Sequence, residues 1–127
     1  MGLLTGSPTL RLTLPPVPES ATRARRALVQ YGLEDDLQHT LTLLVTEIVA
    51  NSIRHAAVPG DVHLAVTLEP GFARVEVLDR GPGFTPGDGG GLGLRLLDKL
   101  ASRWGVESNT GTVVWFEIDR RRRRFAR

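Results

Sequence analysis

The stretch VHLAVTLEPGFARVEVLD, residues 62–79, decides the fold. Val62, Leu64, Val66 and Leu68 alternate with His63, Ala65 and Thr67; after Glu69, Pro70 and Gly71 the alternation resumes through Ala73, Val75 and Val77 to Asp79. A period of two, broken by a Pro-Gly turn, predicts two antiparallel strands. Immediately upstream the period changes. Leu37, Leu41, Leu44, Val45, Ile48 and Ser52 recur at spacings of three and four, which predicts a long helix from about Glu34 to Asp36 as far as Ala57, stopped by Pro59 and Gly60. The acidic residues at its start suit the positive end of a helix dipole.

Working outward, Thr9 to Leu14 alternates with Leu10, Leu12 and Leu14 on one face, and Pro15 and Pro16 end it as a strand. Glu19 to Tyr31 reads as a helix with Gly32 at its C-terminal turn. On the other side, Arg80 to Gly93 holds seven glycines and two prolines in fourteen residues and is a loop. Leu94, Leu97, Leu100, Ala101 and Trp104 predict a third helix stopped by Gly105, and Val106 to Glu107 with Thr112 to Ile118 predict a last hairpin around Asn109 to Gly111. Helices with one apolar stripe each need a sheet to cover. The expected fold is therefore α/β, a two-layer sandwich with the helices on one face of a mostly antiparallel, mixed sheet.

Composition narrows the function classes. A chain of 127 residues with 41% hydrophobic and 24% charged residues is one globular domain's worth. No apolar run reaches the roughly 20 residues of a membrane span, the N-terminus does not read as a signal peptide, and there is no cysteine, so a cytoplasmic setting is expected. The pI of about 9.9 first suggests nucleic acid. Yet six of the sixteen basic residues lie between Arg120 and Arg127, and residues 1–119 carry 10 Lys and Arg against 14 Asp and Glu. The expectation is a mildly acidic domain over residues 1–119 with a disordered arginine tail at 120–127, and direct nucleic-acid binding is not expected of it.

Three segments carry chemistry. On the long helix, Asn51 lies about 40° to one side of Glu47 and Arg54 about 20° to the other, on a face bordering the leucine stripe, where a cleft could bring a ligand to them. Asp79 to Gly83, D-R-G-P-G, sets a carboxylate at a strand end, able to accept a hydrogen bond from an exocyclic amine, ahead of two glycines that allow close approach. An ordinary turn reads the same way. Gly89 to Leu94, G-G-G-L-G-L, runs into a helix and offers unblocked N–H groups at its positive end, a common phosphate site. It is not a Walker A loop, since no Lys-Ser or Lys-Thr follows, nor a dinucleotide fingerprint, since it does not follow the first strand of a βαβ unit. His39, His55 and His63 are too scattered for a zinc signature, and no serine sits on a nucleophile elbow.

Taken in order, these segments resemble the GHKL superfamily of Bergerat-fold ATP-binding domains: E-I-V-A-N-S-I-R-H at 47–55 is similar to its N box, 79–83 to its first glycine box, 89–94 to its second, and Gly111-Thr112 to its last nucleotide-contacting segment. With Glu47 heading the N box, the resemblance is strongest to small bacterial anti-sigma-factor serine/threonine kinases. It implies ATP and Mg²⁺ as cofactors, Asn51 as a metal ligand, Asp79 as the acceptor for the adenine amine with Thr112 assisting through water, and Gly81 and Gly83 beside the base. It further implies a phosphate cradle from the N–H groups of Gly91, Leu92, Gly93 and Leu94, and Glu47 as the catalytic base toward a partner's serine. The implied partners are a sigma factor, an anti-anti-sigma antagonist and a second copy of the chain. The segment Phe84 to Asp88 is shorter than the lid of many such kinases, which leaves open a non-catalytic ATP-binding module that acts by partner binding.

Overall fold

The computed structural model describes residues 8–55, 60–80, 91–108 and 111–120. The elements run β1 (Leu10–Leu14), α1 (Glu19–Val29), α2 (Asp35–His55), β2 (Val62–Leu68), β3 (Phe72–Asp79), α3 (Gly91–Leu100), β4 (Arg103–Ser108) and β5 (Thr112–Asp119), the expected order. The strands form one sheet in the order β1-β2-β3-β5-β4. All four pairings are antiparallel, so no parallel pair makes it mixed. The reason lies in the last crossover. β3 and β4 point the same way, but the chain passes through α3 to the outer position and returns as β5 between them, so the two parallel strands never touch.

Side-chain alternation assigns the two faces. Leu14, Val62, Leu64, Val66, Ala73, Val75, Val77, Val114 and Phe116 form the helix-facing row and are buried together with Ala24, Leu28, Leu41, Leu44, Val45, Ile48, Val49 and Leu97 from the helices. Burying each large side chain of this set is worth about 1.5–3 kcal/mol. α1 ends two residues earlier than Tyr31, and Gly32 takes the left-handed backbone expected of it, at φ 59°. The expected end of α2 near Ala57 lies outside the described residues.

The third helix stops sooner than its spacing predicts. α3 ends at Leu100, where Ala101 N–H closes the last turn on Leu97 C=O (2.9 Å); Ser102 N–H then joins the sheet by donating to Glu117 C=O (2.8 Å). Trp104 and Gly105, assigned to the helix and its stop, belong to β4 opposite Phe116 and Trp115. Trp104 and Leu97 share helical spacing by coincidence; strand pairing overrides it. Gly105 serves not as a helix stop but as a gap, since a Cβ there would lie 2.8 Å from the Trp115 indole nitrogen.

The connectivity gives the domain two poles. At one, Arg120 donates to both oxygens of Glu34 (3.1 and 3.0 Å) and to Glu69 C=O (2.9 Å), while its N–H donates to Gly71 C=O (2.9 Å). This clamp ties the start of α2, the β2–β3 turn and the end of β5 together. Arg120, counted with the tail on sequence, is thus anchored to the sheet, and residues 121–127 lie outside the described set. The opposite pole gathers the C-terminal half of α2, the start of β2, the end of β3 and the start of β5. Since β4 leaves the clamped pole, with Arg103 opposite Glu117, α3 must have descended to that pole. Its N-terminus therefore points to the other one.

On the open face of the sheet, Arg74 bridges Glu76 (3.2 Å) and Glu117 (2.8 Å) and stacks 4.6 Å above the Trp115 ring. Arg103 reaches Glu117 (2.8 Å) and Asp119. Burial pushes the Glu117 carboxyl up, but hydrogen bonds from Arg103 and Arg74 outweigh it and hold the group below its ordinary value. A carboxylate with a depressed pKa adds stability above its unfolded pKa and loses it as the pH falls through the folded one. The thermal midpoint should therefore fall between about pH 5 and about pH 3, and less steeply in Glu117→Gln than in the wild type when both are melted across that range.

Candidate functional site

Six polar or charged side chains are buried among the described residues: Ser20, Asn51, Ser52, Glu76, Asp79 and Thr112. Two have local explanations. Ser20 donates to Pro15 C=O (2.6 Å) and Glu76 accepts from Arg74 on the open face. The remaining four stand together at the pole away from the Arg120 clamp. Asn51 and Ser52 lie in the last turns of α2; Asp79 ends β3, and Thr112, its cross-strand partner, begins β5. Alternation carries Asp79 on from Ala73, Val75 and Val77, and Thr112 on from Val114, Phe116 and Ile118, so both face the helix layer. A polar group placed in an apolar layer costs free energy unless it is hydrogen-bonded. Four at one end of an otherwise apolar interface are the pattern of a binding pocket rather than of a core.

The backbone around Asp79 is as constrained as its side chain. A Cβ on Gly111 would lie 2.4 Å from the Asp79 carbonyl oxygen, so the turn into β5 passes where only glycine fits. This close approach seats Thr112, which is fully buried, beside Asp79. Arg80 folds its side chain over Gly60, where a Cβ would meet its Cδ at 2.9 Å.

On α2, Glu47 is half-buried and one turn from Asn51, about 6 Å along the axis. Asn51 is 3% exposed, deeper than the rim position its spacing suggests, and Arg54 donates to its Oδ1. A guanidinium only donates, so this contact settles which end of the carboxamide is oxygen.

α3 begins at Gly91, so Gly91 and Gly93 sit inside its first turn instead of preceding it. Gly91, Leu92, Gly93 and Leu94 are then the four residues whose N–H groups have no partner within the helix. Leu94 and Leu97 anchor the helix in the core beside α2. Gly81, Gly83, Gly89, Gly90 and the segment 84–88 lie outside the described residues, and so does the side chain of His55.

The structure thus brings Asn51, Asp79, Thr112 and the α3 N-terminus to one pole, with Glu47 one turn further along α2. Sequence spacing missed Ser52, which it counted in the apolar stripe; a serine where every other stripe position is aliphatic was the available signal. Gly111 lies in the turn read from the sequence, and the structure adds its close approach to the Asp79 carbonyl.

An antiparallel sheet under three helices defines a two-layer α/β sandwich. Residues 13–118 match the family model of the histidine kinase-like ATPase domain, and the chain belongs to that family. Among solved structures it is similar to the RsbU and RsbW domains of Rv1364c from Mycobacterium tuberculosis, with a TM-score of 0.69 and 20% identity over 88% of this chain. It spans 32% of that chain's length, and the likeness is one of fold. No curated protein matches the sequence. Among the described residues no helix is long and apolar enough to cross a membrane.

Gly111→Ala should push the turn away from Asp79. Overpacking of this kind costs about 1–3 kcal/mol, to be read as a lower urea midpoint, and it should weaken nucleotide binding as well because the Asp79–Thr112 pair moves.

Proposed function

We propose that the chain is a Mg-ATP-dependent protein serine/threonine kinase of the anti-sigma-factor type, which binds a sigma factor and phosphorylates an anti-anti-sigma antagonist, and so regulates transcription. The observation that carries this reading is the cross-strand pairing of Asp79 with Thr112 at the pole to which α3 directs its N-terminus. A buried carboxylate that accepts from the adenine amine, with a hydroxyl beside it, supplies base recognition at one side. The N–H groups of Gly91 to Leu94, in the first turn of α3, supply phosphate recognition at the other. Gly81 and Gly83 would lie against the base. Membership of the histidine kinase-like ATPase family supports ATP as the nucleotide.

The residues present fit Mg²⁺. Among those described, no group of three or more His, Cys, Asp or Glu could cage a metal, but Mg²⁺ keeps most of its shell as water and phosphate and takes few protein ligands. Asn51 Oδ1, an oxygen donor of fixed orientation, would serve as that ligand. Bound there, the metal would neutralise charge on the phosphates.

Glu47 then acts as the base. Its carboxylate takes the proton of the antagonist's hydroxyl as that oxygen bonds to the γ-phosphorus; the bond from phosphorus to the β,γ-bridging oxygen breaks, and ADP carries away the electron pair. A half-buried position one turn from Asn51 lets base and metal ligand flank one phosphoryl group. The five residues between the glycine boxes, Phe84 to Asp88, favour a second reading, in which the domain holds ATP and presents a partner surface without transfer.

Labelled ATP, Mg²⁺ and a candidate antagonist should yield label on an antagonist serine or threonine. Glu47→Ala should lower transfer by about 100-fold or more with nucleotide affinity retained, and Asn51→Ala should weaken Mg-ATP binding itself. Tight ATP binding without transfer would replace the kinase with the non-catalytic module.

A further inference from the structure

β4 closes one side of the sheet, and among the described residues no strand lies beyond it. Such an edge presents backbone N–H and C=O groups without ladder partners, and proteins ordinarily guard it with proline, a bulge, a very short strand or charge. β1, at the far side, is guarded. It is five residues long and runs into Pro15 and Pro16, and the Tyr31 hydroxyl donates to Thr9 C=O beside it (3.3 Å). β4 pairs with β5 without a bulge, from Arg103 opposite Glu117 to Ser108 opposite Thr112. Its centre, Trp104, Gly105 and Val106, is uncharged and half-buried. The charges that flank this centre, Arg103 and Glu107, are exposed and of opposite sign.

Residues 103–107, R-W-G-V-E, are therefore complementary to themselves when reversed. Alternation puts Arg103, Gly105 and Glu107 on the open face and Trp104 and Val106 on the helix face. A second copy that meets this edge about a two-fold axis normal to the sheet runs antiparallel to it and keeps each face on its own side. With the two Gly105 residues opposite each other, Arg103 stands opposite Glu107 twice, and Trp104 opposite Val106 twice. A shift to the next register that keeps the faces sets Arg103 or Glu107 against Gly105 and loses both ion pairs. Opposite charges directly across an antiparallel pair stabilise it, and like charges destabilise it. Among the described residues Glu107 has no ion-pair partner. Arg103 makes three hydrogen bonds, to Glu117 and Asp119, and the five N–H donors of a guanidinium leave some for another carboxylate.

We propose that β4 is a self-association edge, to which a second copy of this chain adds its own β4 antiparallel, so that the two five-stranded sheets become one continuous sheet. The helix layers then lie on the same side. Because the paired strands run in opposite directions, the polar poles of the two copies point to opposite ends. Both tryptophans of the chain lie at this seam: Trp104 in β4 itself, and Trp115, whose indole covers Gly105 on the open face. Neither nucleotide binding nor phosphoryl transfer enters into the pairing, so it stands apart from the ATP reading.

Sedimentation velocity of the full chain over a range of concentrations tests this, with tryptophan emission recorded on the same samples. The wild type should pass from monomer to dimer as its concentration rises, and its emission should move to shorter wavelength over the same range as the seam excludes water. Glu107→Arg sets arginine against arginine twice and should weaken the dimer about ten-fold or more, with Glu107→Gln falling between the two. A wild type that stays monomeric at every concentration would overturn the proposal. So would a dimer of unchanged strength in Glu107→Arg, since it must assemble through another surface. If the variant folds poorly, amide hydrogen exchange of the wild type below and above the midpoint decides: exchange should slow at high concentration within residues 103–108, and unchanged rates there would overturn the proposal.

Discussion

The pairing of β3 with β5 is the contact on which the rest of the molecule depends. It joins strands separated in the chain by a helix and another strand, and it holds register for eight residues, from Phe72 opposite Asp119 to Asp79 opposite Thr112. One end of that register closes the domain, for Arg120, just past Asp119, can then reach Gly71, Glu69 and Glu34. The other end opens it by setting a carboxylate and a hydroxyl side by side under the helices. A slip of β5 by one residue would turn Thr112 to the open face, away from Asp79, and carry Arg120 off its partners at the other end.

This arrangement separates apolar burial from polar burial along the strand direction. Apolar burial and the Arg120 clamp occupy the middle and one pole. Polar burial, two glycines inside a helix turn and a glycine against a carbonyl oxygen gather at the other. The open face follows a different rule. Ala65 and Val113 are buried there although no described helix lies on that face, and Arg74, Trp115, Glu117 and Arg103 form a network of long side chains on the same face. Arg stems cover apolar surface while their heads stay paired.

Most of the architecture was legible because periodicity is a local property. The β2–β3 stretch, the stripe of α2 and the acidic start of that helix each state their conformation within a few residues, and the structure agrees to within a residue or two. The reading failed where two elements competed for the same residues. Leu97, Leu100 and Trp104 satisfy a helical spacing, but Trp104 opposite Phe116 and the Trp115 ring over Gly105 are contacts with residues a dozen positions away. Leu100 is accordingly 38% exposed instead of lying on a stripe.

The candidate site divides in the same way. By itself the sequence nominated the candidate site residues, Glu47 and Asn51 at helical spacing, Asp79 at a strand end and glycines before a helix, because type and spacing are enough to propose such groups. Only the tertiary structure decided that β5 intervenes between β3 and β4, that Thr112 stands opposite Asp79, that Gly111 must have no side chain and that the hydroxyl of Ser52 is buried at the same pole. Those are facts about distance between segments far apart in the chain, and strand order, which no local pattern encodes, is what sets that distance.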